Sequence, residues 1–168
     1  MKAPFVSALI VIILLLSGFV SEAQETDLIY DPNAIGKLQV VGAIANAKDN
    51  RKQVLLQIGG NWCKWCRLFD KWSRENAVVD SILKADFVVA HINYSKENKN
   101  EDLLRQLGYP QRFGFPVFVV LDSDGNRLHT QNSVYLEEGE GYSEKKVVEF
   151  LKHWNRQALL DKTYESKP

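Results

Sequence analysis

Cys63 and Cys66, two residues apart, are the only cysteines in this 168-residue chain. They stand where two patterns meet. Val54-Leu55-Leu56-Gln57-Ile58 is an apolar run of strand length, and Gly59-Gly60-Asn61 is a break suited to a tight turn. Beyond the turn, Trp65, Leu68, Phe69 and Trp72 recur at i, i+3, i+4 and i+7, one apolar helix face. The order strand, turn, helix puts Cys63 at a helix N-terminus. A dithiol held there is a redox device before it is anything else.

The chemistry follows from the position. The thiolate is the nucleophile in disulfide exchange, and a free thiol is mostly protonated near neutral pH. Unpaired N–H groups and the helix dipole stabilise negative charge at Cys63, and Lys64 and Arg67 add positive charge nearby. Together they predict a pKa for Cys63 lowered from ~8.5 into the range ~3.5–7.5. Cys66 lies about one helical turn on, within bridging reach. A structural bridge is a poor alternative, since so short a loop restricts the unfolded chain little. A zinc site is another. Only His91, His129 and His153 remain as non-carboxylate ligands, and none has metal spacing.

The first 23 residues read as a signal peptide. Lys2 supplies the positive start, Phe5 to Leu16 is apolar except for Ser7, and Ser21-Glu22-Ala23 offers small residues at a cleavage site. The rival is an uncleaved anchor, because Ala3 to Val20 is nearly long enough to span a bilayer. Export, periplasmic or secreted, puts the cysteines where disulfides persist. Acids and bases balance at 21 each, so nothing points to nucleic acid or to an anionic membrane surface.

Residues 24–168 read as one domain. A helix is expected over about 34–48, a strand over 53–58, and helical segments after Cys63 and again over 78–83 with a break near Asn76. Phe87 to Tyr94 reads as a strand buried on both faces. A charged loop and a short helix ending at Gly108 follow. Val117 to Leu121 is the third strand, Asp122-Ser123-Asp124-Gly125-Asn126 a hairpin turn, and Arg127 to Gln131 its return. Residues 132–142 are irregular. Ser143 then caps a last helix whose apolar stripe runs from Val147 to Ala158. The order α-β-α-β-α-β-β-α predicts an α/β fold, a mixed sheet with helices on both faces.

Trp62-Cys63-Lys64-Trp65-Cys66 after a strand, with Gly114-Phe115-Pro116 before a later one, resembles the thioredoxin superfamily, over about Ala34 to Trp154. Within it the segment from Ala45 to Phe69 is similar to exported thioredoxin-like proteins and to the C-terminal domain of the periplasmic transmembrane disulfide reductase. The resemblance implies the thioredoxin-like three-layer fold, Cys63 as exposed nucleophile and Cys66 as resolving thiol. It also implies a cis Phe115–Pro116 peptide beside the dithiol, with the backbone of Phe115 free to pair with substrate. Two positions depart from the family. Where thioredoxins carry a buried Asp that moves the resolving thiol's proton, this chain has Gln57. The partner position on the next strand matches His91. Gln cannot take up a proton and His can, so Gln57 and His91 stand as candidate relay residues; a satisfied core histidine is the plainer reading of His91. Trp62, just ahead of the nucleophile, is expected to cover the site and bind substrate. Trp65 begins an apolar stripe yet lies between the cysteines, so core and substrate-facing readings both stand.

The function expected is thiol-disulfide exchange with protein thiols or disulfides, without cofactor or metal, by a monomer leaning to the reducing side. A membrane-embedded disulfide reductase is a candidate electron donor. The alternative is a non-catalytic binding or chaperone-like module with a static disulfide.

Overall fold

The computed structural model describes residues 28–160. The signal-peptide reading falls on residues 1–23, outside them. Among the described residues no helix is long and apolar enough to cross a membrane.

The element order is α1 (Gly36–Asn50), β1 (Gln53–Gly59), α2 (Lys64–Glu75), α3 (Ala77–Asp86), β2 (Phe87–Asn93), α4 (Glu101–Gln106), β3 (Val117–Leu121), β4 (Arg127–Asn132), a small hairpin β5 (Glu137–Glu138) and β6 (Gly141–Tyr142), α5 (Glu144–Trp154) and α6 (Arg156–Leu160). Short 3₁₀ turns cover Pro110–Phe113 and Ser133–Leu136. The main sheet runs β2-β1-β3-β4. β1 is parallel to β2 and antiparallel to β3, and β3 is antiparallel to β4.

β1 is buried along its whole length because helices cover both faces of the sheet. Val54, Leu56 and Ile58 pack with Val40, Ala43 and Ala47 of α1 and with Leu103 and Leu104 of α4. Leu55 points the other way, with Phe69, Val79, Val147 and Leu151 from α2, α3 and α5. The alternation is the period of a strand, and two cores on one sheet make the three-layer arrangement. Truncating Leu55, Leu56 or Ile58 to alanine would cost about 2–5 kcal/mol.

Four expectations are corrected. β2 is not buried on both faces: it is an edge strand, with Val89 exposed and His91 half-buried. Residues 137–142, read as irregular, form the β5–β6 hairpin. The last helix stops at Trp154 and a separate turn of helix follows Asn155, whose side chain holds Asp86 and caps Ala158. Ser143 occupies the N-cap of α5 but makes no capping hydrogen bond. The break near Asn76 is real: its side-chain oxygen accepts from Val78 N and Val79 N and starts α3, while its amide reaches Glu144 on α5.

Candidate active site

β1 ends at Gly59, and the chain turns through Gly60, Asn61 and Trp62 into α2. Cys63 is the N-cap residue: its backbone is extended, and its sulfur accepts from Cys66 N at 3.1 Å, where a serine or aspartate oxygen usually sits. The two cysteines are joined in a disulfide, Cα–Cα 5.2 Å. Cys63 keeps 5 % of its surface open and Cys66 none. The order of exposure is the expected one, but Cys63 is far from open. Arg67 does not stand free beside the sulfur; its guanidinium is hydrogen-bonded to the carbonyl of Asn61 and braces the turn. Lys64 is exposed.

An aromatic rim surrounds the bridge. Trp62 is 58 % exposed, anchored by its ring N–H to the carbonyl of Tyr94 at 2.7 Å, and edge-on to Phe115 at 5.5 Å. Phe115 packs on the cysteine cluster and lies 4.8 Å from the ring of Tyr94. The Phe115–Pro116 peptide is cis. A groove of about 510 Å³ beside Trp62 is lined by Tyr94, Ser95, Lys96, Glu97 and Lys99. Trp65 divides between its two readings. It is half-buried, packs against both the α2–α5 core and the cysteine cluster, and meets Tyr142 edge-on at 5.8 Å. The Tyr142 hydroxyl donates to the Trp65 carbonyl at 3.2 Å, so the β5–β6 hairpin buttresses the segment between the cysteines.

Below the bridge the arrangement differs from the two-residue relay. Gln57 is buried, and its amide donates to the Cys66 carbonyl at 3.2 Å and to the Tyr30 hydroxyl at 2.8 Å. His91 is opposite Gln57 in the β1–β2 register, yet its ion-pair partner is the carboxylate of Asp70, at 3.4 Å. Asp70 also pairs with Arg74. Burial works against its ionisation, but the hydrogen bond and charge of His91, together with the Arg74 guanidinium, prevail and hold its carboxyl below the usual range. Tyr30 is fully buried against both cysteines and edge-on to His91 at 5.5 Å. Its phenol is pushed well above its ordinary pKa by burial, aided by the charge of Asp70 and opposed by the hydrogen bond from Gln57.

Tyr30 and Asp70 are the residues that sequence reasoning missed. Asp70 had a signal: it stands four residues after Cys66, beside Phe69 on the buried side of α2, where an acid needs a partner. Tyr30 had none, being in a short lead without periodicity. Among the described residues no group of three or more His, Cys, Asp or Glu is placed to hold a metal ion.

A family model described as thioredoxin-like matches residues 38–123. A crystal structure described as a disulphide isomerase from Xylella fastidiosa is 31 % identical, with a TM-score of 0.66, covering 76 % of this chain and 96 % of that one. The oxidised C-terminal domain of DsbD from Neisseria meningitidis is 20 % identical, TM-score 0.51, covering 71 % and 96 %, a likeness of fold. Residues of this chain also match an uncharacterised Caenorhabditis elegans protein at 37 % identity over 85 residues; the match spans 49 % of this chain and 12 % of that much longer protein.

Proposed function

The chain belongs to the thioredoxin-like family, and from that premise we propose that it is an exported thiol-disulfide oxidoreductase that exchanges disulfides with protein substrates, working in the reducing direction. The observation that carries the reading is the Cys63–Cys66 bridge at the N-terminus of α2, with Cys66 sealed and the small opening of Cys63 beside the exposed ring of Trp62.

In the reduced protein the Cys63 thiolate, favoured by the helix N-terminus, attacks one sulfur of a substrate disulfide. The other sulfur leaves as a thiolate and takes a proton. Cys66 then attacks Cys63, the Cys63–Cys66 bond forms, and the second substrate sulfur departs. Two electrons pass from the dithiol to the substrate. Trp62 and Phe115 flank the cysteines, Pro116 is buried and joined to Phe115 by the cis peptide, and the groove beside Trp62 offers apolar surface to a peptide flanking the target cysteine. A membrane-embedded reductase is the candidate that would return the dithiol to its reduced state.

Turnover of a protein disulfide by the reduced chain, lost in Cys63→Ser, is the expected result. No turnover by the wild type would overturn the reading and leave a static bridge in a peptide-holding module. The equilibrium potential gives the direction: ~−270 mV fits a reductase and ~−120 mV an oxidant. Export is tested by the amino terminus of the mature protein, expected at Gln24.

A further inference from the structure

One polar group that borders the space beside the sealed sulfur comes from outside the sheet and helices. A Cβ added to Gly59 would collide with the Cys66 sulfur and lie 3.0 Å from the Tyr30 hydroxyl oxygen. The sulfur and the phenol oxygen therefore both border the space that Gly59 leaves empty, within one packed cluster. Tyr30 is fixed there by its own backbone: its N–H donates to the Asn61 side-chain oxygen at 3.1 Å, and its carbonyl accepts from the Asn61 amide at 2.7 Å.

The direction of the phenol proton follows from Gln57. The Cys66 carbonyl only accepts, so the Gln57 group facing it is the nitrogen. The same nitrogen faces the Tyr30 oxygen, so Tyr30 accepts there and its own O–H points away from Gln57. Among the described residues of the oxidised protein the O–H donates no hydrogen bond to oxygen, nitrogen or sulfur. We propose that Tyr30 is the hydrogen-bond donor that stabilises the Cys66 thiolate in the reduced protein, with Gln57 aiming it and Gly59 giving it access. Burial keeps the phenol protonated, which suits a donor and not a base.

The proposal rests on the dithiol reading. When Cys66 resolves a mixed disulfide, its thiol proton must leave before its electron pair attacks Cys63. The proton ends on the substrate thiolate that departs. In the reverse direction a substrate thiolate attacks Cys63, the Cys63–Cys66 bond breaks, and the electron pair leaves on Cys66, where the Tyr30 O–H meets it. The other groups around this sulfur are the Gln57 amide, the Cys63 sulfur and the first N–H groups of α2. Asp70 and His91 meet at 3.4 Å, with His91 edge-on to Tyr30. Tyr30→Phe leaves the identity and charge of each unchanged, but takes from one Gln57 N–H its acceptor.

The test titrates Cys66 as the only cysteine, in Cys63→Ser, by its ¹³Cβ chemical shift. Adding Tyr30→Phe is expected to raise the midpoint by about one pH unit, a tenfold loss of thiolate at fixed pH, as a hydrogen bond to a charge is lost. 3-Fluorotyrosine at position 30, a more acidic phenol of almost the same size, is expected to lower the midpoint and decides the matter should Tyr30→Phe not fold. A midpoint unmoved by the substitutions that fold overturns the proposal, even if thermal stability falls. Absence of turnover in the wild type would instead overturn the oxidoreductase reading, and the titration is read independently of it.

Discussion

The side-chain amide of Gln57 stands 3.2 Å from the carbonyl oxygen of Cys66, a donor facing an acceptor on the floor of the disulfide. A carboxylate at position 57 would set acceptor against acceptor. Glutamine is therefore integral to this site, because the α2 backbone and Tyr30 have been arranged around an N–H donor.

Gln57→Glu should make that relationship measurable. Burial and the facing carbonyl raise the folded-state pKa of the introduced carboxyl above its unfolded value of ~4.3. Stability is then fully present below that value and lost as pH rises through the folded pKa. The variant should be destabilised by about 1–3 kcal/mol at pH 7 relative to the wild type. The loss should shrink at acid pH. Denaturant melts at several pH values check it.

Asp70 has the opposite sign. Its folded pKa is held down by His91 and Arg74, so its contribution is present above the unfolded value of ~3.9 and is lost as pH falls below it toward the lower folded pKa. Asp70→Asn should reduce stability near neutral pH and flatten the acid limb below about pH 4. Thermal melts of both proteins across that window are the measurement.

Trp62 should matter for substrate and little for the fold. Its ring is exposed, and its firm contacts are one hydrogen bond to Tyr94 and the edge of Phe115. Trp62→Ala should lower kcat/KM for a protein disulfide about tenfold, from lost aromatic contact, with stability changed by about 1 kcal/mol or less. A small disulfide such as a bis-nitrobenzoate should be affected much less.

Asn76 joins two helices at one point. Asn76→Ala removes a cap accepting two N–H groups and the bond to Glu144, and should cost about 1 kcal/mol, within 0.5–2. Asn76→Asp keeps the cap but opposes Glu144 with a like charge, so most of the cap energy should survive. Chemical denaturation separates the two.

The sheet and its helices were legible because their signals are local. β3 is an unbroken apolar run and β1 one interrupted only by Gln57, the α2 stripe repeats at helical spacing, and Asp122 to Asn126 carries its turn in its residue types. Cys63 and Cys66 were legible as a pair from spacing and from the strand before them. β2 misled, because a run as apolar as Phe87 to Ile92 does not say whether a neighbour covers its outer edge. Residues 137–142 misled because a two-residue ladder leaves no periodicity. The polar layer under the disulfide was partly hidden for a different reason. The family resemblance put His91 at the position partnering Gln57, and the register agrees, but which side chains meet depends on α2 crossing the sheet and delivering Asp70. Tyr30 joins the cysteine cluster because Asn61, with Asn98 further on, fastens a segment distant in sequence.

That fastening makes the beginning of the fold a matter of chemistry. Tyr30 precedes every helix and strand described, so proteolytic trimming at Asp31 would leave the whole sheet, all the helices and both cysteines intact. It would also remove the ring that fills the space beneath Cys66, open a void there, and let water reach a sulfur that is otherwise sealed. Such a trimmed protein would keep its shape by circular dichroism and be a different reagent.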